Sequence, residues 1–222
     1  MLYKNSDLNF ILTILKNKLY VGGTFLHNDL KGYIIGKKNN LYLFDLKKII
    51  FNINSLRNFI NHLQNEKGKI LFIGFPENDT QKENYKINIA IKRIAEKKGH
   101  IFLTKDYIRG SFSNYHNIIS TYKKFSILSF GLKKTRRIGQ FFVNFEDIAN
   151  MGTFPNAVVF FSKPSSPFIL KEFKDQGIPV ISIVDSTQSI RYVDYPLLGN
   201  FRYLNSIYFY IDLFNYLLKK TK

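Results

Sequence analysis

Apolar positions fall into two rhythms along this chain. Residues 33–46, "YIIGKKNNLYLFDL", hold two short apolar runs around Gly36-Lys37-Lys38-Asn39-Asn40, which is hairpin chemistry. Asp45 then stands where it can cap a helix whose Ile49, Ile53, Leu56, Phe59, Ile60 and Leu63 share one face, ended by Gly68. "KILFIG" (69–74) is an apolar strand. Residues 80–98 form a polar helix with Ile87, Ile91 and Ile94 inward, stopped by Gly99, and "HIFLT" (100–104) is the next strand. The alternation resumes with strand 157–161, helix 166–177 and strand 179–184. A last helix carries Leu204, Ile207, Tyr208, Ile211, Phe214 and Leu218 on one face. The first twenty residues read as an amphipathic helix. Residues 105–155 show no sustained period and read as an irregular insertion or an extended arm. Strands apolar throughout, alternating with helices, predict an α/β fold with a mostly parallel sheet covered on both faces and right-handed crossovers.

Composition narrows the class. At 222 residues and 45% hydrophobic, the chain can bury a core as one large domain or a domain with an appendage. Lys plus Arg is 33 against 16 acids, a net charge of +17. So large an excess calls for a polyanion; nucleic acid comes first and an anionic membrane second. Cysteine is absent, which excludes disulfides and thiolate chemistry. No apolar run approaches the roughly 18 residues that span a bilayer, and the N-terminus lacks a signal-peptide pattern. The weight of Lys, Asn, Ile, Phe and Tyr points to an A/T-biased genome.

A doubly wound fold raises the question of a nucleotide-binding enzyme. No strand is followed by G-x-G-x-x-G. The segment from Gly32 to Lys38 imitates a phosphate loop, but three residues separate its glycines and it lies in a hairpin. His27, His62, His100 and His116 form no close pair, so no zinc site is expected. Glu146-Asp147 read as a solvated face. Asp185, at the end of an apolar strand, is the one carboxylate placed for chemistry. It is either a general base or ribose contact, or a structural acceptor for backbone N–H groups of residues 186–188. The residues alone favour the structural role, because no second catalytic group is placed beside it.

"IPVISIVDSTQSIRYVDYPLLGNFRYLNSI" (178–207) resembles the signature of the bacterial and organellar small-subunit ribosomal protein two family. Gly177-Ile178-Pro179-Val180, Val184-Asp185, Val193-Asp194-Tyr195, Gly199-Asn200 and Ser206-Ile207 match its order and spacing. "NNLYLFDLKK" (39–48), "KILFIG", "YIRGSFSNY" (107–115, keeping Gly110 and Asn114) and "FPNAVVFF" (154–161) resemble further blocks, collinear over most of the chain. Three departures stand out. "YVGGTFLHNDLKG" (20–32) lacks the family's arginines, Phe201-Arg202 replace two aspartates, and a shorter basic 120–152 segment replaces the family's helical protrusion.

The resemblance implies one ribosomal-protein domain with a Rossmann-like, flavodoxin-type three-layer α/β/α core in 47–104 and 156–222. Residues 1–46 extend it with a helix and hairpin, and 105–155 form the basic insertion. It implies a structural constituent of the small subunit that binds its RNA and neighbouring proteins, with no catalysis, cofactor, metal, membrane or homo-oligomer. The expected phosphate contacts are Lys37, Lys38, Arg109, Lys123, Lys124, Lys133, Lys134, Arg136, Arg137, Arg191 and Arg202. Asp185, Asp194, Gly199, Asn200, Gly110 and Asn114 are expected to shape loops. The eroded segments suit an organelle-encoded protein of the mitochondrial matrix before a plastid or bacterial one. The alternative remains a nucleotide-binding enzyme on a doubly wound fold.

Overall fold

A computed structural model describes residues 8–76, 82–103, 107–128, 136–201 and 203–219. Five parallel strands form the central sheet: β3 (Ile70–Ile73), β4 (Ile101–Leu103), β5 (Ala157–Phe160), β6 (Val180–Val184) and β7 (Tyr195–Leu198). Their spatial order is β4-β3-β5-β6-β7, the flavodoxin-like order in which the winding reverses between β3 and β5. Outside the sheet, β1 (Ile34–Lys38) and β2 (Leu41–Phe44) make an antiparallel hairpin.

Strand alternation splits the core in two. Ile70, Phe72, Ala157 and Val159 face a layer built from α1 (Leu8–Lys16), α2 (Leu46–Asn65), α3 (Lys82–Lys98) and α7 (Leu204–Leu217). Leu71, Ile73, Val158 and Phe160 face the other side, against α6 (Pro167–Asp175), α4 (Tyr115–Leu128) and α5 (Arg136–Asn150). The three inner strands β3, β5 and β6 are buried at every position because helices cover both faces, which is why they read as unbroken apolar runs. Asp45 caps α2 by accepting the Lys47 N–H at 2.8 Å.

Three expectations change. The described residues of the stretch 105–155 are not irregular: α4 and α5 pack against each other, with Tyr122 edge-on to Phe142 at 4.7 Å. Each helix has its own 3–4 spacing, through Tyr115, Ile118 and Tyr122 in one and Phe141, Phe145 and Ile148 in the other. A window across both averages the two registers away. Second, β7 lies inside what reads as a loop. It has four residues and contains Pro196, which an edge strand tolerates because one side of its ladder is unused. Third, Tyr208 lies 37% exposed, and Phe209 and Tyr210 fill the inward positions of α7.

Candidate nucleic-acid interface

The loop after β6 is built first by its own carboxylate. Asp185 Oδ1 accepts the Thr187 N–H at 2.6 Å, a tight side-chain turn. The segment Val21–Leu26 then lies across it. Ser186 Oγ accepts the Gly23 N–H at 2.8 Å and donates to the Phe25 carbonyl, and the His27 N–H reaches the Ser186 carbonyl. Asn200 Nδ2 donates to the Gly22 carbonyl at 2.9 Å. Glycine is required at this crossing: a Cβ on Gly23 would stand 2.8 Å from Thr187 Cγ2 and 3.0 Å from Asp185 Oδ1. Asp185 is 7% exposed and Ser186 fully buried beneath this strap. A base or ribose contact needs an open carboxylate; this one is roofed and spent on a backbone donor. Gly199 serves the same packing, since a Cβ there would lie 2.6 Å from Ser206 Oγ.

Asp194 binds across the sheet edge. Its Oδ2 accepts the Val180 N–H at 2.9 Å and its Oδ1 lies 3.6 Å from Lys174 Nζ.

The turn before α4 depends on a residue that sequence reasoning misses. Glu172, buried on α6, accepts N–H bonds from Gly110 at 2.7 Å and from Phe112 and Ser113 at 2.9 Å. Three backbone donors satisfy the buried charge. The only sequence sign is a glutamate on the same face as Ile169 and Phe173. Gly110 has φ +89°, and Asn114 Nδ2 donates back to its carbonyl. Burial, reinforced by the Glu172 carboxylate, pushes the Tyr107 hydroxyl well above its ordinary range, so it stays a neutral phenol.

The expected cationic residues fall on several separate elements. Lys37 and Lys38 are exposed on the hairpin, where Asn39 (φ 47°) and Asn40 (φ 65°) make the left-handed turn that matches strand twist. Lys37 Nζ lies 5.0 Å from the Tyr42 ring centre. Arg109 is exposed with its guanidinium 4.8 Å over the Phe168 ring. Lys123 and Lys124 are exposed on α4, and Arg136 and Arg137 fall in the first turn of α5. Arg191 is exposed 5.5 Å from the Tyr192 ring, and its loop is tied to the hairpin's approach through Ser189 Oγ and Asp29 Oδ2 at 2.6 Å. Lys133, Lys134 and Arg202 lie outside the described residues. The four bases that cluster at 133–137 in sequence therefore have only Arg136 and Arg137 on a described element. Among the described residues, no three His, Cys, Asp or Glu are grouped to hold a metal, and no helix is long and apolar enough to cross a membrane.

Residues 15–218 match the family model described as Ribosomal protein S2. The chain is 29% identical over 214 residues to the small ribosomal subunit protein uS2 of Carsonella ruddii, covering 89% of this chain and 94% of that one. With uS2 of Marinobacter nauticus it is 26% identical over 193 residues, 81% and 74% of the two chains. With that of Idiomarina loihiensis it is 24% identical over 202 residues, 85% and 80%. A match across nearly the whole chain, on a five-stranded parallel sheet whose strand-end aspartate is buried under the N-terminal strap, makes this protein a member of the ribosomal protein S2 family.

Proposed function

We propose that this chain is fixed in the small ribosomal subunit by cationic side chains that neutralise RNA phosphates. As a member of its family it is a structural constituent of that subunit and not an enzyme. The observation that carries the reading is a division of labour. The carboxylates at strand ends and turns bind backbone N–H groups, while the hairpin, the Arg109 turn, α4 and the Arg191 loop hold bases out to solvent. Lys37, Lys38, Arg109, Lys123, Lys124 and Arg191 are the proposed contacts, with Lys133, Lys134, Arg136, Arg137 and Arg202 added from sequence. Neighbouring small-subunit proteins complete its environment, and one copy serves each subunit.

The compartment proposed is the mitochondrial matrix, from the A/T-biased composition and the altered 20–32 segment. The bacterial relatives support a bacterial cytoplasm as the second reading. Fractionating the source cells separates the two.

The test is binding of the full chain to its own small-subunit RNA across a salt series. Affinity should fall linearly on a log–log plot. Lys37→Ala with Lys38→Ala should make the slope shallower by about 2, roughly one for each phosphate no longer neutralised. An unchanged slope would remove the hairpin from the interface. Salt-independent binding would remove the electrostatic reading itself.

A further inference from the structure

The winding of the sheet reverses between β3 and β5, and the crevice beyond their carboxyl ends is where open α/β sheets take ligands. A cavity of about 270 Å³ occupies that place. Phe75 and Pro76 wall it after β3, Ser162 and Lys163 after β5, and Tyr107 from the turn before α4. The strap Val21–Leu26 lies instead over the end of β6, at Asp185 and Ser186.

We propose that this crevice takes one unpaired nucleotide of RNA, with its base against Phe75, Pro76 and Tyr107 and its phosphate at Lys163. The proposal rests on the RNA-binding reading above. Size argues for a single nucleotide: cofactor and drug-sized pockets run about 300–1,000 Å³, so this one suits one base and not a dinucleotide. The walls are aromatic and apolar, the surface on which proteins stack splayed-out RNA bases.

The charge comes from side chains. The first turn of α6 has little left for an anion, because Ser166 Oγ already accepts the Phe168 N–H and Pro167 has none. Lys163 is exposed at the rim, whereas Arg109, over Phe168, and Lys171 line a separate bowl on the far side of that turn. Glu172 and Asp175 share the Arg109 bowl, but Glu172 is consumed by three backbone donors.

The test is ultraviolet crosslinking of the full chain to its own small-subunit RNA, with crosslinked peptides located by mass spectrometry. Crosslinks are expected on the peptides carrying Phe75 and Tyr107. Ser165→Trp, placed at an exposed rim position to fill the mouth, should reduce them about tenfold, as expected when one base can no longer stack, with thermal unfolding and hairpin crosslinks unchanged. Lys163→Ala should reduce them without closing the cavity. Crosslinks at the hairpin or α4 with none at the crevice would overturn this inference and leave RNA binding standing. Failure to bind RNA anywhere would overturn both. Saturable calorimetric binding of AMP, GMP, CMP or UMP that Ser165→Trp abolishes, with no RNA crosslink on the Phe75 or Tyr107 peptides, would assign the crevice to a free nucleotide and overturn the proposal.

Discussion

Glu172 holds the Gly110–Ser113 turn in place, and with it Arg109. Glu172→Ala would leave three buried or half-buried N–H groups without their acceptor. Charge-assisted bonds of this kind are worth about 2–4 kcal/mol in sum after solvent exchange. Urea denaturation should show a loss in that range, and a change below about 0.5 kcal/mol would contradict the assignment.

Asp185→Ala should cost about 1–3 kcal/mol by freeing the Thr187 N–H beneath the strap, again read by urea denaturation. A variant of unchanged stability would reopen the residue as a functional carboxylate.

His100 gives a pH prediction. Burial, with Lys69 and Lys98 nearby, lowers its pKa from 6.5 to about 4. Its Nδ1 accepts the Ile70 N–H, and among the described residues its buried Nε2 has no hydrogen-bond partner. The folded state therefore holds the neutral ring while the unfolded chain takes a proton below 6.5. Its stabilising contribution is full above pH 6.5, declines as pH falls, and is lost by about pH 4, a change on the order of 3 kcal/mol. Comparing acid unfolding of the wild type with that of His100→Asn should show the steeper limb only in the wild type.

At the scale of elements, the strap Val21–Leu26 closes the end of β6. Gly23→Val would drive a side chain into Thr187 and Asp185, so the backbone amides at position 23 and His27 should exchange at least about tenfold faster while the β3 and β5 amides stay protected. Uniform loss of protection would mean that the strap belongs to the main cooperative unit.

What the sequence discloses divides along the same lines. β3, β5 and β6 are legible because burial on both faces leaves only apolar residues. Asp45 and Gly68 mark α2 because caps and stops have their own chemistry. β7 is hidden by Pro196 and its four-residue length. α4 and α5 are hidden because two short registers are read as one. The strap is hidden because, besides its pairing with Tyr42 and Leu43 of β2, Val21–Leu26 is held by Ser186, about 160 positions away, a distance no local pattern records. Asp185 is legible as a loop-forming residue, whereas Glu172 is not: its three partners are chosen by the folding of α6 against the turn.

For the whole molecule, a charge of +17 on a domain whose acids are partly committed to internal bonds favours assembly with a polyanion over a free state. Residence in the small ribosomal subunit is the property on which every other expectation depends. It is read by sedimenting a native lysate with magnesium and again with a chelator, following this chain by mass spectrometry. The chain should travel with whole ribosomes in magnesium and with free small subunits under chelation. A chain that stays at the top of both gradients would contradict ribosomal residence outright.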